Sequence, residues 1–129
     1  MMKDGVKNMA YEEIQENIEE LFEKITEDYA DWTERSFMAN GFDLDRIDNK
    51  VIEFQDGLIA EAGRKYIKII RTDTGQNSVW GFVVNVKDDK KFKYGDILMA
   101  AGYNAPARNK ARGNLFSGYS IQWTGPKYL

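Results

Sequence analysis

The segment Tyr66–Val86, with the sequence YIKIIRTDTGQNSVWGFVVNV, decides the fold. Two runs rich in β-branched and aromatic residues flank the polar loop 72–77, a pattern typical of an antiparallel hairpin. Pairing aliphatic with aromatic side chains along one face stabilises such a hairpin and sets its register. We therefore predict three opposed pairs: Arg71–Ser78, Ile69–Trp80 and Ile67–Phe82. On the other face Gly81 has no side chain and is expected to leave room.

A helical pattern precedes the hairpin. Apolar residues recur at spacings of three and four from Tyr11 to Trp32, which predicts a helix over about 9–39. Asn40-Gly41 is expected to end the helix, because Asn and Gly readily adopt the left-handed backbone conformation. About thirty residues at about 1.5 Å each make roughly 45 Å, more than the width of a domain of this size. Part of the apolar stripe, with Tyr29 and Trp32 at its far end, is therefore expected to lie against another copy of the chain.

The region between the helix and the hairpin is interpreted as a linker followed by short strands. The acidic segment 41–49 predicts a solvated linker. Val51–Phe54 and Leu58–Ala60 are interpreted as strands joined by an Asp56-Gly57 turn, because Asp-Gly is a strong hairpin signal. Further along the chain we predict a charged turn and a last short strand, at Lys87–Lys93 and Tyr119–Trp123.

These segments predict an α+β fold. A single domain over 1–129 is expected to hold a long N-terminal helix followed by an antiparallel sheet of about five strands. The sheet and a ligand loop occupy 50–129. The 129 residues, 43% of them hydrophobic, suffice for one modest core. The overlong helix and the open edges of the sheet both favour a homo-oligomer.

Composition narrows the possible chemistry. The chain has no Cys and no His, which excludes disulfides, thiolate and imidazole metal sites, and Cys- or His-based catalysis. Carboxylate metal sites and carboxylate acid–base chemistry remain open, but we assign no catalytic residue, no metal ligand and no cofactor. No apolar run approaches the roughly 20 residues of a membrane span, so a soluble cytoplasmic protein is expected.

The net charge of −3 hides a strong asymmetry between the two halves of the chain. Residues 1–64 carry 17 acidic and 7 basic side chains, whereas residues 65–129 carry 4 and 11. Such a split indicates a nucleic-acid or phosphate partner for the basic half. The alternative is that the acidic helix packs beside the basic sheet and neutralises it, within one chain or across a dimer.

The segment Tyr94–Phe116 contains the candidate binding loop. It holds the cations Arg108, Lys110 and Arg112, and no Asp or Glu follows Asp96. Its Gly and Asn residues allow backbone N–H groups to turn toward an anion, and arginine binds phosphate through two parallel hydrogen bonds. The loop therefore predicts a cradle for a phosphate or diphosphate.

A nucleotide also needs a flat apolar surface for its base and amides for its polar edge. The available aromatic surfaces are Phe82, Tyr103 and Trp80, of which the first two are selected as ligand contacts. The predicted ligand-binding residues are Phe82, Tyr103, Asn104, Arg108, Arg112 and Asn114. One alternative stays open: the two arginines cap carbonyls or pair with carboxylates of the helix, while Trp80 and Phe82 belong to the core.

The runs GDILMAAGYNAPARNKARGNLF (95–116) and WTGPKYL (123–129) resemble motifs of the Thoeris anti-defence sponge family of small tailed-phage proteins. The resemblance implies a helix followed by an antiparallel sheet. It also implies capture, without cleavage, of the cyclic ADP-ribose signal made by bacterial TIR-domain defence proteins. Arg108 and Arg112 match the phosphate-holding arginines, and Phe82 is the candidate aromatic from the sheet. Some members bind cyclic oligonucleotides at a separate site of a larger oligomer. The family often has Trp where this chain has Tyr103.

The resulting hypothesis is a phage anti-defence protein in the host cytoplasm that sequesters a cyclic nucleotide and so suppresses TIR-based immunity. Capture needs cations, aromatics and amides but no general base or nucleophile, so we expect no enzyme. Two alternatives belong to other classes. A nucleic-acid-binding phage protein would follow a backbone with the lysines of 87–93 and the arginine loop. An acidic inhibitor of a host protein would use the carboxylates of the helix.

Overall fold

The computed structural model describes residues 5–41, 43–73 and 75–126, with the side chains of the first helix described from Glu13 onward. Helices α1 and α2 span Gly5–Met38 and Leu44–Asp56. The strands are β1 Ile59–Ala62, β2 Tyr66–Asp73, β3 Gln76–Val84, β4 Asp96–Leu98, β5 Ala100–Gly102, β6 Ala105–Pro106, β7 Gly113–Asn114, β8 Gly118–Tyr119, β9 Ile121–Gln122 and β10 Gly125–Pro126.

Six of these strands form one antiparallel sheet in the order β1-β2-β3-β4-β7-β8. Two small ribbons accompany it, β5 with β6 and β9 with β10. The α+β class and the order of a long helix before an antiparallel sheet are confirmed. The predicted final strand 119–123 is split between β8 and β9 by a change of pairing partner, and the tail 127–129 lies outside the described residues.

Helix α1 confirms the helical pattern and begins at Gly5, earlier than predicted. Its apolar face is buried in a core shared with β2, β3 and β4. The helix ends as predicted, because Gly41 adopts φ 83° and the Asn40 side chain donates a hydrogen bond to Ser36 O at 2.7 Å. The buried residues of this face are Ile14, Ile18, Leu21, Ile25 and Tyr29.

Tyr29 corrects one expectation, since a single copy of the chain already buries it. Its ring stacks on Phe54 of α2 with centroids 4.0 Å apart, and Trp123 meets it edge-on at 5.0 Å. Trp32, one turn later, stays 38% exposed. Contact with a second copy therefore remains an expectation that rests on Trp32 and not on Tyr29.

Helix α2 replaces the predicted linker 41–49 and the predicted strand 51–54. Its start is fixed by the Asp43 side chain, which accepts a hydrogen bond from Arg46 N at 2.9 Å. Ile47 and Phe54 are buried on one face of it. Gly57, expected in a hairpin turn, instead ends the helix by donating its N–H to Glu53 O. The hairpin signal was wrong here because the following strand pairs with β2.

The central hairpin keeps one predicted pair and shifts the other two. Arg71 lies opposite Ser78, as predicted, but Ile69 lies opposite Gly81 and Ile67 opposite Val83. The cause is a bulge: Ile69 and Ile70 pair with Gly81 and Val79, so the intervening residue of β3, Trp80, has no partner.

The bulge places neighbouring aromatic residues on opposite faces of the sheet. Trp80 is 1% exposed, lies in the core under α1 and donates Nε1–H to Gln122 O at 2.8 Å. Phe82 faces the other way, into a smaller apolar cluster with Val84, Phe92 and Leu98. The room expected beside Gly81 is filled, because an added Cβ would meet Leu98 O at 2.9 Å.

Candidate functional site

Two adjoining grooves lie beside the smaller cluster. The Lys68 groove has a volume of about 310 Å³, and the Arg108 groove about 490 Å³. Both fall in the range of roughly 300–1,000 Å³ typical of small-molecule sites. Arg64 and Lys65 line both grooves. The other lining residues include Glu61, Tyr66, Lys68, Phe82 and Asn104 in the first groove, and Val86, Asp88, Asp89, Lys90 and Arg108 in the second.

The Lys68 groove brings three predicted residues together around a cation that the sequence analysis missed. Lys68 Nζ donates a hydrogen bond to Asn104 Oδ1 at 2.8 Å and lies 4.2 Å from the centroid of the Tyr103 ring. Tyr103 is 49% exposed, so part of its surface is open to a ligand. Phe82 pairs directly with Lys68 across β2 and β3 and lines the groove wall.

Alternation along β2 was the signal that would have found this cation. Tyr66 and Lys68 alternate with the buried Ile67 and Ile69, so the two polar side chains lie on the face away from α1. Once the register is known, Lys68 joins Phe82 on that face.

The Arg108 groove contains a pair of opposite charges within the chain. Nη1 and Nη2 of Arg108 donate to the two carboxylate oxygens of Asp89, each at 3.1 Å, and Nη1 also donates to the Tyr66 hydroxyl at 2.6 Å. The Arg108 guanidinium lies 4.9 Å from the Phe92 ring. Its Nη donors are therefore engaged by protein groups, although the partner is a turn carboxylate and not, as the alternative interpretation had it, a carboxylate of the helix.

Asp89 is the most enclosed carboxylate of the grooves, with 1% of its side chain exposed. The Arg108 guanidinium, together with the backbone N–H groups of Lys91 and Phe92, holds the pKa of Asp89 well below its usual range. The hydrogen bonds that Arg108 donates to Asp89, and next the one to Tyr66, raise the pKa of Arg108. Lys91 Nζ completes the contact by donating to Arg108 O, which joins the ligand loop to the charged turn at 87–93.

Arg112 and Asn114 lie elsewhere, immediately before β7 and within it. Arg112 is 2% exposed and its Nε donates to Lys110 O at 3.3 Å. The Asn114 amide donates to Tyr94 O and to Asp96 Oδ1, while its oxygen accepts hydrogen bonds from the backbone of the following turn. Neither residue lines the two grooves, so the predicted three-cation cradle is not assembled.

The described ranges contain no group of three or more acidic side chains arranged to hold a metal ion. Within the same ranges, no helix has both the length and the apolar character that a bilayer span requires. A protein-family model described as a family of unknown function, DUF7717, matches residues 1–126. Comparison with curated proteins and with solved structures finds no match to the chain.

Proposed function

The chain belongs to the family of unknown function DUF7717, and we propose that it captures a small anionic nucleotide in the Lys68 groove without cleaving it. The observation that carries the proposal is the position of Lys68 between the Tyr103 ring and the Asn104 amide. A cation and an amide thus line one cavity, and an exposed aromatic ring lies against the cation. A nucleotide presents a phosphate, a base and hydroxyl groups to these three partners.

The charge of the groove supports an anionic ligand. Arg64, Lys65 and Lys68 line it against a single carboxylate, Glu61. Cations on low-dielectric walls raise the local concentration of anions and strengthen their binding. A ligand of nucleotide size suits the volume of the Lys68 groove better than a polymer backbone does, because the groove is a pocket of about 310 Å³ beside one turn.

The carboxylate chemistry favours capture over turnover. Asp89, the best-enclosed carboxylate, is held ionised by Arg108 and by two backbone N–H groups. A carboxylate with a lowered pKa is a weak general base near neutral pH. The chain also has no Cys or His to act as a nucleophile or base, so the proposed function is sequestration.

The biological part of the proposal rests on the resemblance of 95–116 to the Thoeris anti-defence sponges. On that basis the ligand is a cyclic ADP-ribose-type signal, and capture in the host cytoplasm during phage infection suppresses TIR-based immunity. The structural support is limited to the groove, whose partners suit any nucleotide of that size.

Isothermal titration with cyclic ADP-ribose, linear ADP-ribose and DNA strands of increasing length tests the proposal. We expect binding of at least one ADP-ribose compound, and recovery of the intact compound by mass spectrometry after the protein is heated. Lys68→Met should weaken that binding by about 10- to 100-fold, the worth of a charge-assisted contact. Lys93→Met removes the same charge from an exposed position outside both grooves and should leave the affinity unchanged.

Two outcomes would contradict the proposal. One is no binding of any ADP-ribose compound at millimolar concentration. The other is affinity that grows with the length of DNA and falls by roughly 10³-fold between low and moderate salt, the behaviour of a nucleic-acid-binding protein.

A further inference from the structure

We propose that the turn Gly63–Tyr66, which separates the two grooves, is the phosphate subsite of the nucleotide site, with Arg64 as its main cation. The inference rests on the proposed function and deepens it, because it moves the phosphate contacts away from Arg108 and Arg112. Three sets of observations carry it: the way the turn is held, the donors that it leaves unused, and its place between the grooves.

The turn is fixed by three hydrogen bonds. Gly63 N donates to Tyr66 O at 2.8 Å, which closes the turn. The buried Asn85, just beyond β3, holds two further carbonyls: its backbone N–H donates to Lys65 O at 2.8 Å and its side-chain amide donates to Gly63 O at 2.9 Å. Three of the four carbonyl oxygens of the turn are thus occupied, and a preformed turn costs little ordering on ligand binding.

Several donors of the turn have no acceptor among the described residues. In the ranges that the structure describes, neither Arg64 N nor Lys65 N donates a hydrogen bond to another group. The Arg64 guanidinium likewise has no hydrogen bond or ion pair within those ranges, whereas Arg108 is bound to Asp89. Lys65 Nζ lies 3.7 Å from Asp89 and is only partly neutralised. Two backbone N–H groups and two cationic side chains in one turn are a donor set suited to phosphate oxygens.

The turn also lies where a phosphate would be needed. Arg64 and Lys65 line both grooves, so an anion bound to them lies between the Lys68 groove and the Arg108 groove. Lys90 faces the same anion from the second groove and, within the described ranges, has no ion pair. A base placed near Tyr103 would direct its phosphates toward this turn, and a diphosphate would engage donors from both sides.

Arg108 then becomes a positioning residue. Its Nη1 holds the Tyr66 hydroxyl, and the Tyr66 ring meets Phe82 edge-on at 6.0 Å. Through Tyr66 it fixes the end of the turn and one wall of the Lys68 groove. Its charge is balanced by Asp89 and is not offered to the ligand.

Titration of Arg64→Gln with three probes tests the subsite: ADP-ribose, adenosine and pyrophosphate alone. We expect the variant to bind ADP-ribose at least about tenfold more weakly and adenosine with the affinity of the wild type. Pyrophosphate should compete with ADP-ribose on the wild type and lose that competition on the variant. Arg35→Gln, an exposed change of the same charge on α1, is the matched control and should behave as the wild type.

The outcomes separate the subsite from the proposed function. Wild-type protein that binds no ADP-ribose compound would overturn both. Wild-type protein that binds ADP-ribose while Arg64→Gln binds it equally well would overturn the subsite alone. Equal weakening of adenosine and ADP-ribose would also overturn it, because the change would then act on the groove and not on the phosphates.

Discussion

Trp80→Phe measures how much the buried indole of Trp80 contributes to stability. Trp80 is fully enclosed between the sheet and α1, and its Nε1–H joins β3 to β9. Phenylalanine keeps an aromatic ring in the core but loses the hydrogen bond to Gln122 O and part of the side-chain volume. The change therefore keeps part of the packing of this ring and removes its hydrogen-bonded link between the sheet and the C-terminal ribbon.

Two contributions set the magnitude. Loss of the hydrogen bond costs about 1 kcal/mol. The missing volume, about 40 Å³, adds about 1 kcal/mol at roughly 24 cal/mol per Å³ of cavity. We expect the free energy of unfolding to fall by about 2 kcal/mol in total. For a domain of this size that lowers the thermal midpoint by roughly 6–10 °C.

Urea unfolding followed by circular dichroism measures the change, with Trp32→Phe as the control. Trp32 is 38% exposed, so the control should lose less than about 1 kcal/mol. Nucleotide affinity should be unchanged in both variants. Equal losses for the two variants would refute the assignment of Trp80 to the core. A weaker affinity for nucleotide with unchanged stability would identify Trp80 as a ligand surface.

Four further predictions follow from the structure. Arg108→Gln should lower the thermal midpoint, because the paired hydrogen bonds to Asp89 are lost. Arg108→Lys should recover only part of the midpoint, because lysine keeps the charge but not the fork geometry. An unchanged midpoint in scanning fluorimetry would contradict a stabilising role of the Arg108–Asp89 pair. Because the folded-state pKa of Asp89 lies below its ordinary value of 3.8, its stabilisation is complete above that pH and is lost as the pH falls below it. The stability difference between wild type and Asp89→Asn should therefore shrink between pH 5 and about pH 2 in urea titrations, and a constant difference would argue against the pair. Gly81→Ala should destabilise by about 1–3 kcal/mol, whereas Gly102→Ala, with nothing within 4 Å of its added Cβ, should stay within about 0.5 kcal/mol. Light scattering should give a mass above the 14.9 kDa of one chain, with Trp32→Glu reducing it; a monomer at high micromolar concentration would remove the expected self-association.

Local periodicity was sufficient to predict α1 and the central hairpin. Both signals are repeated over many residues, so one irregularity does not hide them. The register failed at Trp80 because a bulge shifts pairing by one residue and leaves no mark in the pattern of hydrophobic residues. Helix α2 was missed because the Asp56-Gly57 dipeptide and the β-branched Val51-Ile52 both favour strands, whereas its helical face becomes apparent only when Ile47 and Phe54 are seen to be buried.

The candidate site was predictable only in part. Phe82, Tyr103 and Asn104 are brought together around Lys68, yet Lys68 itself was not selected. Distance along the chain was a poor guide to charge balance: Asp89 is 19 residues before Arg108 and nevertheless lies against it. Arg64 was not selected because the turn that contains it is fixed by hydrogen bonds to Asn85, which is 22 residues away from Gly63.

The unpaired residue in β3 affects which substitutions the sheet can accept during evolution. In a regular strand, residues two apart lie on the same face, so Trp80 and Phe82 would share one environment and constrain each other. Because of the bulge, Trp80 instead faces the interior under α1, whereas Phe82 faces the groove wall. Substitutions that reshape the groove at Phe82, Lys68 or Tyr66 can then accumulate while the packing under α1 stays intact. Deleting Trp80, the extra residue of the bulge, would restore regular pairing between β2 and β3 and remove the core indole, while Phe82 and Val83 keep their faces.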